Sequence, residues 1–239
     1  MIRTIFCWFV FVVYTIFFGI IGLFLSLTFP HLVVKYAVRP WARINLKTGG
    51  IGLQVEGVEN LPDEPSIIMF NHQSALDILA YMAALPIDWR AIMKKEVGQI
   101  PFIGWVATLS GHYRVARDGS SSDTKEVKKI VGKIRSGPTV VLAPEGTRSK
   151  DGKLLPFQKG GFLIAVLARV PVVPMIITGG LDILPKGSAW FKTGTMKVRI
   201  LPAIHVDDLP PGREGREKLM QIVREQMEEV LNQEESEND

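Results

Sequence analysis

A chain of 239 residues, 47% of them hydrophobic, suits one α/β domain with a sizeable core. The net charge of +4 is unevenly placed: Arg3, Lys35, Arg39, Arg43 and Lys47 precede Glu56 with no acid among them, while seven acidic residues and no basic one follow Arg224. Basic residues beside an apolar segment suit an anionic membrane surface, and the absence of any zinc-finger or RNP pattern argues against nucleic acid. The lone Cys7 rules out a disulfide within the chain, and its place inside an apolar segment argues against a thiol nucleophile.

From Ile5 to Phe29 there are 25 residues without a charge. As a helix they reach about 37 Å, more than the ~30 Å hydrocarbon core of a bilayer. The run is too long for a signal peptide and no small-residue cleavage site follows it, so it is expected to be a membrane segment. Gly19 and Gly22 leave open whether it crosses or turns back. After Pro30, Lys35, Arg39 and Arg43 recur every fourth residue, which in a helix makes a basic stripe at a membrane surface; Pro40 would kink or restart that helix. Residues 1–48 are thus expected to anchor the chain, and residues 49–239 to form the α/β domain. More cations follow the apolar run than precede it, which is expected to put that domain on the cytoplasmic side.

Within the domain, Leu53–Val58, Ser66–Phe70, Trp89–Met93, Tyr113–Arg117, Thr139–Ala143, Val172–Thr178 and Met196–Ile204 read as strands. Ser74–Leu85, Ser122–Arg135, Gly160–Ala168 and a C-terminal stretch through Leu219, Val223, Met227 and Leu231 read as helices, the last with a frayed acidic end. Strands alternating with helices argue an α/β layer fold.

Four strand ends carry chemistry. Phe70–Asn71–His72 hands a buried strand to a helix that contains Asp77. Five residues turn a helix through 500°, so His72 and Asp77 meet only if His72 lies before the helix and folds back over its first turn. That arrangement is an imidazole oriented by a carboxylate; the plainer reading makes Ser74-x-x-Asp77 a capping box. Gly111–Arg117 places Arg114 and Arg117 on one short strand, facing opposite ways. Glu145–Gly146–Thr147–Arg148 offers a tight turn and a forked phosphate donor. Phe157–Gln158–Lys159–Gly160–Gly161 opens a helix whose amides are free for an anion.

In this order, with Val173–Pro174–Met175, Lys94–Lys95–Glu96 and Ile100–Trp105, these blocks resemble the lysophosphatidic acid acyltransferases, the 1-acylglycerol-3-phosphate acyltransferases of the bacterial type. The resemblance covers nearly everything from Leu53 onward; only the Gly111–His112–Tyr113–Arg114–Val115 block departs from the more apolar family segment, which leaves Arg114 without a family role. It implies a central, mostly buried mixed sheet flanked by helices, behind an N-terminal membrane-embedded helical segment. It also implies transfer of a fatty acyl group from a thioester, acyl-CoA or acyl-acyl carrier protein, to the sn-2 hydroxyl of lysophosphatidic acid, without cofactor or metal. Glycerol 3-phosphate or another lysolipid is the alternative acceptor. His72 and Asp77 would then be the general-base pair, Arg117 and Arg148 the main phosphate ligands, and Lys94, Lys95 and Lys159 lesser ones. The Glu145–Gly146–Thr147–Arg148 turn would bind the acceptor. A hydrolase using the same pair is disfavoured by the lack of a Gly-x-Ser-x-Gly elbow, and a non-catalytic membrane protein by the intact His72/Asp77 pair.

Overall fold

The computed structural model describes residues 2–115, 130–190 and 192–238. Seven strands form one mixed sheet in the order β1-β7-β6-β2-β5-β3-β4. They are β1 (Ile51–Glu56), β2 (Ile67–Phe70), β3 (Trp89–Lys94), β4 (Tyr113–Val115), β5 (Thr139–Leu142), β6 (Val172–Thr178) and β7 (Gly194–Ile200). β2, β3, β4, β5 and β6 run parallel, and β7 with β1 runs against them through the antiparallel β6–β7 pair. β2 and β5 are buried along their whole length, which explains why both read as continuous apolar runs.

Helices cover both faces. α2 (Arg39–Thr48) and α3 (Leu76–Ala84) lie on one, where Ala42, Leu46, Ala80 and Tyr81 join Ile68, Phe70 and Val141 in a core. α5 (Lys159–Ala168) and α7 (Gly212–Asn238) lie on the other, with Phe162, Ala165, Leu219 and Val223 against Met69, Val140 and Leu142. The crossover from β2 to β3 passes over β5 on the first face. That from β5 to β6 passes over β2 on the second, so a crevice opens at the carboxyl ends of β2 and β5.

Three expectations change. Met196–Ile204 ends as a strand at Ile200, although Ile204 still bridges Val172. The acidic C-terminus does not fray: α7 continues to Asn238, and Glu234 is buried, accepting the Thr178 hydroxyl. The basic stripe after Pro30 is not a free surface. A π-turn (Val34–Val38) runs without a break into α2, so the widened turn comes just ahead of Pro40, the residue without an N–H. Arg39 donates from Nε and Nη2 to Leu85 O (3.1 and 2.7 Å), and Arg43 Nε donates to Ala83 O (3.1 Å). Both guanidinium groups therefore cap the carbonyl end of α3, where cations are favoured. Of the three stripe residues, only Lys35 remains outside such a contact, its ammonium over the Tyr36 ring.

α1 (Ile2–Thr28) is one unbroken helix, long and apolar enough by length and composition to cross a membrane. Its small residues Cys7, Gly19, Gly22 and Ser26 are buried, while Phe6, Phe9, Phe17, Ile20 and Phe24 are exposed. The glycines serve close packing against α4 (Ile103–Leu109): a Cβ at Gly19 would fall 2.6 Å from Phe102 Cβ, and one at Gly22 3.0 Å from Val106. Residues 130–134 are helical and Arg135 follows in a turn, the described part of the Ser122–Arg135 expectation; Arg117 and residues 122–129 lie outside the described residues.

Candidate active site

The first strand end is held from both sides. After Phe70, the Asn71 side chain takes over from the β2–β6 ladder, donating to Ile177 O (3.0 Å) and accepting from Ile177 N (2.7 Å). His72 is thereby released from the sheet, but its backbone is gripped by the neighbouring strand end. Its amide donates to Glu145 Oε1 (2.8 Å), and its carbonyl accepts from Ser149 N (2.7 Å).

His72 does lie before the helix, and its Nδ1 sits 2.9 Å from Asp77 Oδ2. The same oxygen accepts the amides of Gln73 and Ser74, each at 2.7 Å, so one carboxylate oxygen both holds the turn that leads into α3 and orients the imidazole. With Nδ1 donating to the carboxylate, Nε2 carries the lone pair, and His72 lines a cavity. Asp77 is fully buried, and its Oδ1 has no hydrogen-bond partner among the described residues. Gly180 faces that oxygen so closely that a Cβ there would come within 2.8 Å of it.

The cavity has a volume of about 1310 Å³. Its apolar wall runs from Phe18 and Gly19 of α1, past Trp41, Tyr81 and Val106, and on the other side of the sheet reaches Ile130, Leu142 and Ile164. At its polar mouth are His72, Lys94, Gly146, Thr147, Arg148, Lys159 and Lys186. Lys95, although expected there, is exposed and does not line it. Gly146 takes φ +72°, which only the absence of a Cβ makes easy, and this turn carries Arg148 out over the mouth. Among the described residues the Arg148 guanidinium has no hydrogen-bond or ion-pair partner, so its fork is open.

Glu145 behaves differently. Its two oxygens accept the amides of His72 and Leu155 (each 2.8 Å), so its carboxylate braces the chain where it lines the cavity. Burial raises its pKa, against the lowering effect of those two amides. At the start of α5, Gln158 provides no side-chain cap, and Lys159, Gly160 and Gly161 all line the cavity, leaving the positive end of the helix dipole at its mouth. Lys186 was not anticipated, because no spacing links the β6–β7 connection to the motifs; only the fold brings it in. Among the described residues, no cluster of His, Cys, Asp and Glu could hold a metal ion.

Residues 52–178, more than half of the chain, match the family model described as Acyltransferase. A chloroplastic 1-acyl-sn-glycerol-3-phosphate acyltransferase of Brassica napus is 38% identical over 166 residues, which is 67% of this chain and 45% of the relative. The enzyme of that name from Saccharomyces cerevisiae is 31% identical over 204 residues, covering 84% of this chain and 67% of the relative. The chain thus spans less than half the length of the plastid relative. The crystal structure of the 1-acyl-sn-glycerophosphate acyltransferase PlsC from Thermotoga maritima superposes with a TM-score of 0.79 at 28% identity, covering 96% of both chains. The chain belongs to the acyltransferase family.

Proposed function

We propose that this protein transfers a fatty acyl group from a thioester to the sn-2 hydroxyl of lysophosphatidic acid, forming phosphatidic acid for phospholipid synthesis. One observation carries the reading: an imidazole whose Nδ1 is held by Asp77 opens its Nε2 onto a large apolar cavity, beside an unpaired Arg148. The names of the relatives support the acceptor, and the apolar cavity favours partners with fatty chains over glycerol 3-phosphate.

The acceptor hydroxyl gives its proton to His72 Nε2 as its oxygen attacks the thioester carbon. Asp77 steadies the imidazolium that forms. Collapse of the tetrahedral adduct breaks the C–S bond, and the imidazolium returns its proton to the leaving thiolate. No side-chain nucleophile is required. The acceptor's phosphate lies against Arg148, with Lys94, Lys159 and the α5 amides nearby and Arg117 as a further ligand; Gly146 and Thr147 shape the turn. Lys95 is left as an outer contact. The donor is acyl-CoA or acyl-acyl carrier protein.

Residues 1–48 serve as the anchor and 49–239 as the catalytic domain, with α2 as the seat of α1. α1 packs on the body from Thr4 to Ser26, about 33 Å at ~1.5 Å per residue, so lipid meets only its other face. That favours a helix lying in the surface of one leaflet. The excess of cations after α1 favours the cytoplasmic side of the inner membrane.

His72→Ala tests the mechanism. Purified protein assayed with lysophosphatidic acid and each donor is expected to lose at least about 10²-fold in kcat while keeping its fold, as a lost general base demands. Turnover within about tenfold of wild type would overturn the assignment.

A further inference from the structure

Residues 184–190 connect the site to α1, with a hydrogen bond at each stage. At the base, Leu184 O accepts from Ser74 Oγ (2.8 Å), and the Ser74 amide is one of the donors that hold Asp77. Lys186 follows, its ammonium 2.9 Å from Arg148 O and 3.5 Å from Thr147 Oγ1. Gly187, at φ +92°, turns the chain. At the tip, Ala189 O accepts from the indole N–H of Trp8 on α1 (3.0 Å). Lys192 N closes the loop onto Ile183 O (3.0 Å).

Two features make this more than a surface loop. Lys186 and Arg148 both line the cavity, the ammonium of the first on the backbone carbonyl of the second, and neither ion-pairs with a carboxylate among the described residues. Glu145, on the same turn as Arg148, accepts a backbone amide at each carboxylate oxygen. Adjacent like charges without a counter-ion are costly unless an anion joins them. An ammonium has three donors, and only two are engaged here. The second feature is depth. Trp8 and Trp190 flank the tip of the loop, 42% and 53% exposed, next to the exposed apolar face of α1. Indoles favour the level of lipid headgroups. Three residues span at most about 10 Å, so Lys186 lies close to that level too.

We propose that residues 184–190 are a strap that couples the lipid-facing helix to the acceptor site, with Lys186 a ligand of the acceptor's phosphate. This rests on the lysophosphatidic acid reading above. The strap sets the phosphate-binding cations at headgroup depth, so that the acceptor is engaged without leaving the leaflet. It also ties the position of Lys186 to α1 through one indole N–H.

The test uses the full chain with acyl-CoA or acyl-acyl carrier protein. The acceptors are lysophosphatidic acid and monoacylglycerol, each presented in vesicles containing phosphatidylglycerol. Wild type is expected to prefer lysophosphatidic acid. Lys186→Met should raise the KM for lysophosphatidic acid about tenfold, the scale of a lost charge-assisted contact, with much less change for monoacylglycerol or for the donor. Lys186→Arg should recover most of that loss. Trp8→Phe, which keeps the ring but removes the donor, should raise the same KM by about threefold, the scale of one neutral hydrogen bond. An unchanged KM in Lys186→Met, or an equal loss for both acceptors, overturns Lys186 as a phosphate ligand. Trp8→Phe kinetics equal to wild type overturn the coupling. A wild-type enzyme indifferent to the phosphate instead overturns the acceptor reading itself, which separates the two failures.

Discussion

Asp77 Oδ2 accepts three donors while Asp77 Oδ1 accepts none, and Gly180 is packed against the second oxygen. Its carboxylate is thus located by hydrogen bonds on one side and by a missing Cβ on the other. Gly180→Ala is expected to push the carboxylate off the His72 ring and lower kcat by about 10²-fold, the cost of a 1 Å misplacement. Circular dichroism and a melting curve near wild type would show that the loss is local; full activity in the alanine variant would show that Asp77 tolerates the shift. His112 offers a test through pH. Its ring packs edge-on against Trp89, with centroids 5.4 Å apart, and burial first, then the nearby Arg90 charge, lowers its pKa from 6.5 to about 3. The unfolded chain then binds a proton that the native one refuses, so stability falls as pH drops below about 6.5, by at most about 1.4 kcal/mol per unit from this group. His112→Asn should flatten the denaturation midpoint between pH 6.5 and 4 relative to wild type. Equal slopes for the two proteins would contradict it. The His72–Asp77 pairing was legible in the sequence because both residues sit on one short stretch whose geometry admits a single way to meet. Lys186 and Gly180 were not, since they reach the site only through the β6–β7 connection.

At the scale of elements, the buried strands β2, β5 and β6 could be read because a strand covered on both faces needs an unbroken apolar run. The sheet order could not, since nothing local says that β7 returns antiparallel. The stripe Lys35, Arg39, Arg43 shows a different limit. Its period correctly announced a helical surface, but a period does not say what that surface meets, and the partner proved to be the carbonyl end of α3. Replacing Arg39 with Gln should therefore act on stability first. Losing a charge-assisted pair of hydrogen bonds to Leu85 O, partly screened by solvent, is expected to cost about 1–2 kcal/mol, read as a lower denaturation midpoint. A change confined to vesicle binding, with stability intact, would restore the membrane role. Gly19 makes the same point about α1. The glycines that left its path open are contact points for α4 and its start, Gly22 for Val106 and Gly19 for Phe102, a residue held at φ +61° as α4 begins. Gly19→Val should separate α1 from α4, and a melting temperature equal to wild type would show that this contact carries no stability.

Across the whole molecule, α1 is both a helix long and apolar enough to face lipid and a wall of the site, because Thr15, Phe18 and Gly19 close the cavity that also holds His72. A chain that merely used α1 as a tether would lose vesicle binding on truncation and keep its chemistry in detergent. Here the body packs along α1 through α2, α4 and the Trp8–Ala189 contact, so its removal also uncovers Trp41, Phe102 and Val106. Deleting residues 1–28 is therefore expected to cost activity in detergent as well as on vesicles, by at least about tenfold, since an opened cavity no longer excludes water from the thioester. Salt provides the second arm. Arg39 and Arg43 are tied to α3, so the cations after α1 that are left for lipid are Lys35 and Lys47, with the lysines at the cavity mouth. Each is worth ~1 kcal/mol near an anionic surface and is screened within a Debye length. Sedimentation with phosphatidylglycerol vesicles should weaken only modestly as salt rises, because the apolar face of α1 supplies most of the binding. Complete release of the full chain at high salt would mean that charge holds it to the bilayer, and full detergent activity in the truncated protein would mean that α1 is a tether alone.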